Sequence, residues 1–324
     1  MKSKWGLSTI ITITAIVFAF ALVLVQPGGK IFVAHGGSTA TTTVTITNSA
    51  PIVSAVNING TNPAVISLNT NSTTTVNVEA TVSDNNGCGD LNSGTTTILL
   101  YRSGYSSSSC STNGGADASN CYLASAFVST SSCVGLGTSY NTTTTFAVQY
   151  YARATDSSSS FASNNWMATV IFRDPSNGTG TADSSNASTT NDFQSTLSIN
   201  VTTSSIDFGS VGPGVSSATS TTVVVNVGNS STTLKLSAST VLTGTGGTIA
   251  ADYEHYATSS FTWSSGGSDV HLSTTSVAVS GFTLTAPTSG TAIQGNVFWA
   301  LQPPLGTATG SYAGVNQFTA SFTP

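Results

Sequence analysis

Val76-Asn77-Val78-Glu79-Ala80-Thr81-Val82 decides how this chain is read. In an extended backbone successive side chains point to opposite faces, so Val76, Val78, Ala80 and Val82 share one face and Asn77, Glu79 and Thr81 the other. A helix would scatter the same residues around its axis. The run stops at Ser83-Asp84-Asn85-Asn86-Gly87, where short polar side chains can bond the local backbone and glycine turns the chain.

Outward from this stretch the same period returns. Ile98 and Leu100 oppose Leu99 and Tyr101 over residues 95–102. Phe146, Val148, Tyr150, Ala152 and Ala154 share a face, as do Trp166, Ala168, Val170 and Phe172. Residues 196–201 read as the last strand of this module. Further on, Val223, Val225 and Val227 alternate, Gly228-Asn229 turns, and Leu234, Leu236 and Ala238 follow. Residues 206–214 read as a short strand and turn, and 277–284, 295–301 and 317–322 as further strands. Half-buried strands hide their apolar faces by packing sheet on sheet. The fold class is therefore all-β: two tandem β-sandwich domains, residues 51–201 and 202–324. Residues 31–50 form a Thr-rich stalk, and a hydrophobic helix lies within 1–30.

Of 324 residues, 53 are Ser and 55 Thr, and only 6 % are charged. Such a surface hydrates through hydroxyls, with Thr also favouring strands. Seven Lys and Arg in all exclude the clustered basic stripe that nucleic acid requires, so no nucleic-acid partner is expected. Beyond residue 37 there are four basic and twelve acidic residues, net −8 with neutral histidines.

Residues 5–25 carry no charge, follow Lys2 and Lys4, and precede Pro27-Gly28-Gly29. Twenty-one helical residues rise about 30 Å, enough to cross a bilayer. Two outcomes compete. One is a secretory signal cut after Gly36, with Ala34 at −3; the other is a retained membrane anchor. Either places the remainder outside the cell. Lys4-Trp5-Gly6-Leu7-Ser8-Thr9-Ile10 also resembles an archaeal pilin-type leader cut after the glycine, although Trp5 stands where that family carries the basic residue.

Cys88, Cys110, Cys121 and Cys133 fall within 46 residues, without a Cys-x-x-Cys pair. In an exported chain they read as two disulfides. Three pairings exist; the favoured one closes Cys110–Cys121 locally and encloses it with Cys88–Cys133. Residues 103–142, rich in Ser and Gly, then form a stapled loop outside the core.

Candidate chemistry is sparse. Asp84, Asn86 and Asp90 offer oxygen ligands around a glycine turn and are the candidate calcium ligands, although such turns also form without metal. No other cofactor is indicated. Asp252-Tyr253-Glu254-His255 is the densest polar cluster, but neither a Gly-x-Ser-x-Gly elbow nor a His-Glu-x-x-His helix occurs, and an enzyme is not expected. Trp166 and Trp299 belong to alternating strands and read as core, whereas Trp263 lies beside Ser264-Ser265-Gly266-Gly267 and is the candidate for an exposed, sugar-stacking ring. Seven Asn-x-Ser/Thr sequons, including Asn229, match the roughly eight that chance places among 23 Asn in a chain one-third Ser and Thr.

The first module resembles the Ig-like and PKD-like modules of prokaryotic surface proteins. Ala80-Thr81-Val82-Ser83-Asp84-Asn85-Asn86-Gly87 and Trp166-Met167-Ala168-Thr169-Val170-Ile171-Phe172-Arg173-Asp174 carry the likeness, each a strand ending at an Asp. The second module is similar to surface β-sandwiches through Asp207-Phe208-Gly209, Asn226-Val227-Gly228-Asn229 and Gly310-Ser311-Tyr312-Ala313-Gly314. The resemblance implies a structural or adhesive role outside the cell. The expected partners are the membrane, through the N-terminal helix, and either further copies of the chain or surface glycans and proteins. The alternatives are a pilin-like filament subunit built through the N-terminal helix and a glycan-binding module.

Overall fold

The computed structural model describes residues 40–322, except 62–63, 106–109, 111–116, 125–127, 130–132, 134–136, 184–190 and 264–268. The expected N-terminal helix, both cleavage positions and the first part of the stalk lie outside the described residues. Among the described residues no helix is long and apolar enough to cross a membrane. Residues 40–47 belong to a first compact unit and carry no secondary structure; Val44 and Ile46 are exposed there. Everything below concerns the second unit, Asn48–Pro324.

The unit is nearly all β. Its first part contains β1 (Ile52–Ile58), β2 (Val65–Ile66), β3 (Thr73–Ser83), the short helix α1 (Cys88–Ser93), β4 (Thr95–Arg102), β5 (Cys121–Ala124), β6 (Val128–Ser129), β7 (Ser139–Gln149), β8 (Trp166–Arg173), β9 (Thr179–Asp183) and β10 (Asp192–Phe193). Two four-stranded antiparallel sheets form, in the orders β1-β3-β7-β6 and β5-β4-β8-β9; β10 and β2 make a small parallel pair. β3 and β7 pair over eleven residues, from Thr73 opposite Gln149 to Ser83 opposite Ser139.

Period-2 alternation explains the packing. Val76, Val78, Ala80 and Val82 are buried, and they share one cluster with Ile98, Leu100, Trp166, Ala168, Val170 and Phe172 of the other sheet. Trp166 stacks on Phe193 with centroids 4.3 Å apart, and its Nε1 donates to the Arg153 carbonyl at 2.8 Å.

The rest comprises β11 (Ile199–Val201), β12 (Ser220–Asn226), β13 (Thr232–Gly244), β14 (Gly247–Ile249), a 3-10 turn (Ala251–Tyr253), β15 (Glu254–Ala257), β16 (Val270–His271), β17 (Val277–Leu284), β18 (Ile293–Leu301) and β19 (Tyr312–Phe322). One sheet runs β11-β12-β18-β15-β16. In the other, β13 pairs along one side with β19 and along the other with β17 and then β14. Leu234, Leu236, Tyr256, Val297 and Trp299 share the buried cluster between them.

Four local readings change. Residues 196–201 do not close the first module: Ile199–Val201 pairs with β12, and Ile199 and Val201 pack on the second cluster. A strand's polarity pattern says which face is buried but not which neighbour it joins. The stretch 103–142 is not wholly outside the core, because β5 pairs with β4 and buries Tyr122. That phenol donates to the Ala118 carbonyl and accepts from the Gln149 N–H at 2.9 Å, which suits a buried tyrosine despite its Ser-rich surroundings. Residues 206–214 form no strand; Asp207 accepts from the Gly209 N–H at 2.9 Å, bending the chain locally. The last strand starts earlier than expected, at Tyr312.

Candidate functional site

The two strands whose ends carry Asp-Gly turns lie in different sheets, and sandwich packing brings those ends together. Asp84, following β3, and Asp174, following β8, are both buried. Asp90 reaches them from α1, whose first residue, Cys88, is bonded to Cys133. One carboxylate oxygen from each of Asp84, Asp90 and Asp174 lies within 4.8 Å of the others.

Each turn is built by its own residues. Asp84 Oδ1 accepts from the Asn86 N–H at 2.7 Å, and the Gly87 N–H bonds the Asp84 carbonyl. Asp174 Oδ1 accepts from the Gly178 N–H at 2.8 Å, and its Oδ2 from Asn48 Nδ2 at 2.9 Å. A Cβ on Gly178 would fall 2.3 Å from Asp174 Oδ2, so a larger residue there would push the carboxylate aside. Partial burial raises the Asp90 carboxyl above its ordinary pKa, and the neighbouring Asp84 and Asp174 carboxylates push it the same way.

Of the three expected ligands, Asp84 and Asp90 lie together, with Asp174 as a third carboxylate beside them. The third expected ligand, Asn86, accepts from the Ser49 N–H through Oδ1 at 2.6 Å. Asp174 is the carboxylate that the sequence reading did not include. The repeated strand-then-Asp pattern was visible in the sequence, but not the spatial meeting of residues 90 positions apart. The cysteines pair Cys88–Cys133 and Cys110–Cys121, the favoured arrangement.

A second cluster surrounds His255. Its Nδ1 is hydrogen-bonded to Asp269, and both side chains are buried. Trp263 is half-buried and stacks on the imidazole with centroids 3.7 Å apart, so the ring proposed for sugar stacking already has an aromatic neighbour. His271 lies 3.9 Å from His255 by ring centroids, and its Nδ1 donates to the Asp252 carbonyl at 2.9 Å. A His–Asp pair can transfer a proton when a reacting group meets the imidazole.

Beside β19 a groove of about 1180 Å³ is lined by Phe208, Leu242, Glu254, Leu301, Tyr312 and Phe318, among others. Glu254 is buried there and accepts from Asn316 Nδ2 at 2.8 Å. Burial raises its pKa, and the bond from Asn316 partly offsets the rise.

The chain matches no protein-family model and no curated protein.

Proposed function

We propose that this is an exported, non-enzymatic structural or adhesive protein of a prokaryotic cell surface. In this reading two Ig-like sandwiches are carried on a Thr-rich stalk behind an N-terminal hydrophobic helix. The observation that carries it is the pair of disulfides pinning the Ser- and Gly-rich insertion between β4 and β7. Such bonds persist in oxidising compartments outside the cytoplasm. Charged side chains mostly brace the scaffold: Asp156 accepts from the Ser195 N–H and hydroxyl, Asp192 from the Thr155 hydroxyl, and Arg102 donates to Asn120 and Asn164. The test is labelling of intact cells with a membrane-impermeant amine reagent, followed by alkylation without reductant and mass measurement of the N-terminus. Surface labelling with four unalkylated cysteines is expected; an unlabelled protein with four alkylated thiols would sink the reading. A mature start at Leu7, near Gly37 or at Met1 separates pilin, secreted and anchored forms.

A subunit of an extracellular assembly is the second reading, and β19 favours it. Its strand partner among the described residues is β13 alone, it carries no charged residue, and Val315 and Phe322 are exposed. An uncharged edge of eleven residues is a template for another strand.

A further inference from the structure

We propose that Asp84, Asp90 and Asp174 hold one calcium ion, which joins the two sheets of the first sandwich where the chain enters the folded unit. The site goes beyond the surface role and does not depend on it.

The spacing fits a single ion. Oxygens bound to one calcium at about 2.3–2.6 Å can stand no more than about 5 Å apart, and the three carboxylate oxygens lie within 4.8 Å of one another. A second observation is independent of that spacing. Asp84 is only 3 % exposed, and its Oδ2 is buried with no hydrogen-bond partner among the described residues. The Asn86 N–H holds Oδ1, so the carboxylate is oriented with its other oxygen left over. A buried carboxylate oxygen without a donor is expensive, and a cation removes that cost. Among the described residues the one ion pair is His255–Asp269, so no basic side chain neutralises the three acids.

The donor set selects the metal class. It consists of hard oxygens carrying three negative charges, and neighbouring Cys88 is tied in its disulfide and offers no thiolate. Magnesium is the poorer fit, because it demands tight octahedral geometry and dehydrates reluctantly. Ligands come from the end of β3, the end of β8 and α1, while Asn48 and Ser49 attach to the same two turns. Calcium therefore stiffens the start of the unit by cross-linking both sheets to the disulfide-held helix.

The test uses the detergent-solubilised full chain stripped with EDTA. Titration with calcium chloride should give one site per chain and raise the melting temperature. Asp174→Asn and Asp90→Asn should each weaken binding at least tenfold. Asp174 also anchors its turn, so Asp90→Asn decides the matter if Asp174→Asn unfolds. In EDTA, Asp90→Asn should melt no lower than the wild type, because it removes like-charge repulsion. Absence of heat and of any melting shift at millimolar calcium would overturn the site, and so would undiminished binding by Asp90→Asn.

Discussion

Asn229 Nδ2 lies 3.0 Å from the carbonyl oxygen of Gln194. The same side chain donates to the Ala152 carbonyl at 3.2 Å and accepts from the Thr196 N–H at 2.7 Å, so one buried amide ties the first group of sheets to the second. Asn229→Ala strands these backbone groups and should cost about 1–3 kcal/mol, measured by chemical denaturation. Gly228→Ala should be worse, since a Cβ there would fall 2.1 Å from the Thr196 oxygen. Peptide mapping should find the Asn229 sequon unglycosylated in folded protein, because the residue is buried.

The tryptophans should separate sharply. Trp166 is fully buried between the sheets, and Trp166→Ala should destabilise by about 3–5 kcal/mol. Trp263 mainly stacks on His255, and Trp263→Ala should cost about 1 kcal/mol. Thermal melts of the two variants test the contrast. If the glycan-binding alternative holds, a glycan-array signal disappears in Trp263→Ala while the fold survives.

Reduction should loosen the insertion between β4 and β7. By loop length Cys110–Cys121 is worth roughly 3 kcal/mol and Cys88–Cys133 roughly 4 kcal/mol. Denaturation in reducing and oxidising buffer should show a lower midpoint on reduction. Unchanged stability would mean that the bridges do not restrain the fold.

Glu254 makes stability depend on pH. Burial raises its native carboxyl pKa above the unfolded value, so the native state binds the proton more tightly. This contribution is fully present below the ordinary glutamate pKa of about 4.3 and is lost as pH rises through the raised native value. Glu254→Gln keeps an oxygen for Asn316 and removes the charge. The variant should melt above the wild type at neutral pH and lose the wild type's gain on mild acidification. A wild-type melting temperature that falls over that window, with no difference in the variant, would refute the assignment.

In the assembly reading, the free side of β19 is where copies would pair. Val315 and Gln317 of this strand are exposed. Val315→Lys with Gln317→Lys should abolish oligomers of residues 38–324 in light scattering, because lysine discourages edge pairing. The cost to the monomer should stay within about 0.5 kcal/mol per site. A wild-type monomer at high concentration would argue against assembly through this edge.

How far the fold is legible follows from what a strand records about itself. In β3 and β8 the burial of alternate residues is a local consequence of the pleat, and Val76 or Trp166 declares it through its neighbours two positions away. Tyr122 was hidden because a single apolar ring inside a Ser-rich tract has no period to betray it. Ile199 and Val201 showed their strand but not their sheet, since pairing partners leave no mark on the alternation.

By itself, then, the sequence determined the β architecture, the hydroxyl-rich surface and the nearness of four cysteines, all set by composition and short-range spacing. Tertiary structure decided that Asp174 joins Asp84 and Asp90, that Asn229 bridges the sheet groups and that β19 pairs, among the described residues, with β13 alone. Those relations depend on which strand ends meet across the sandwich, and residues far apart in the chain meet there only once the sheets have packed.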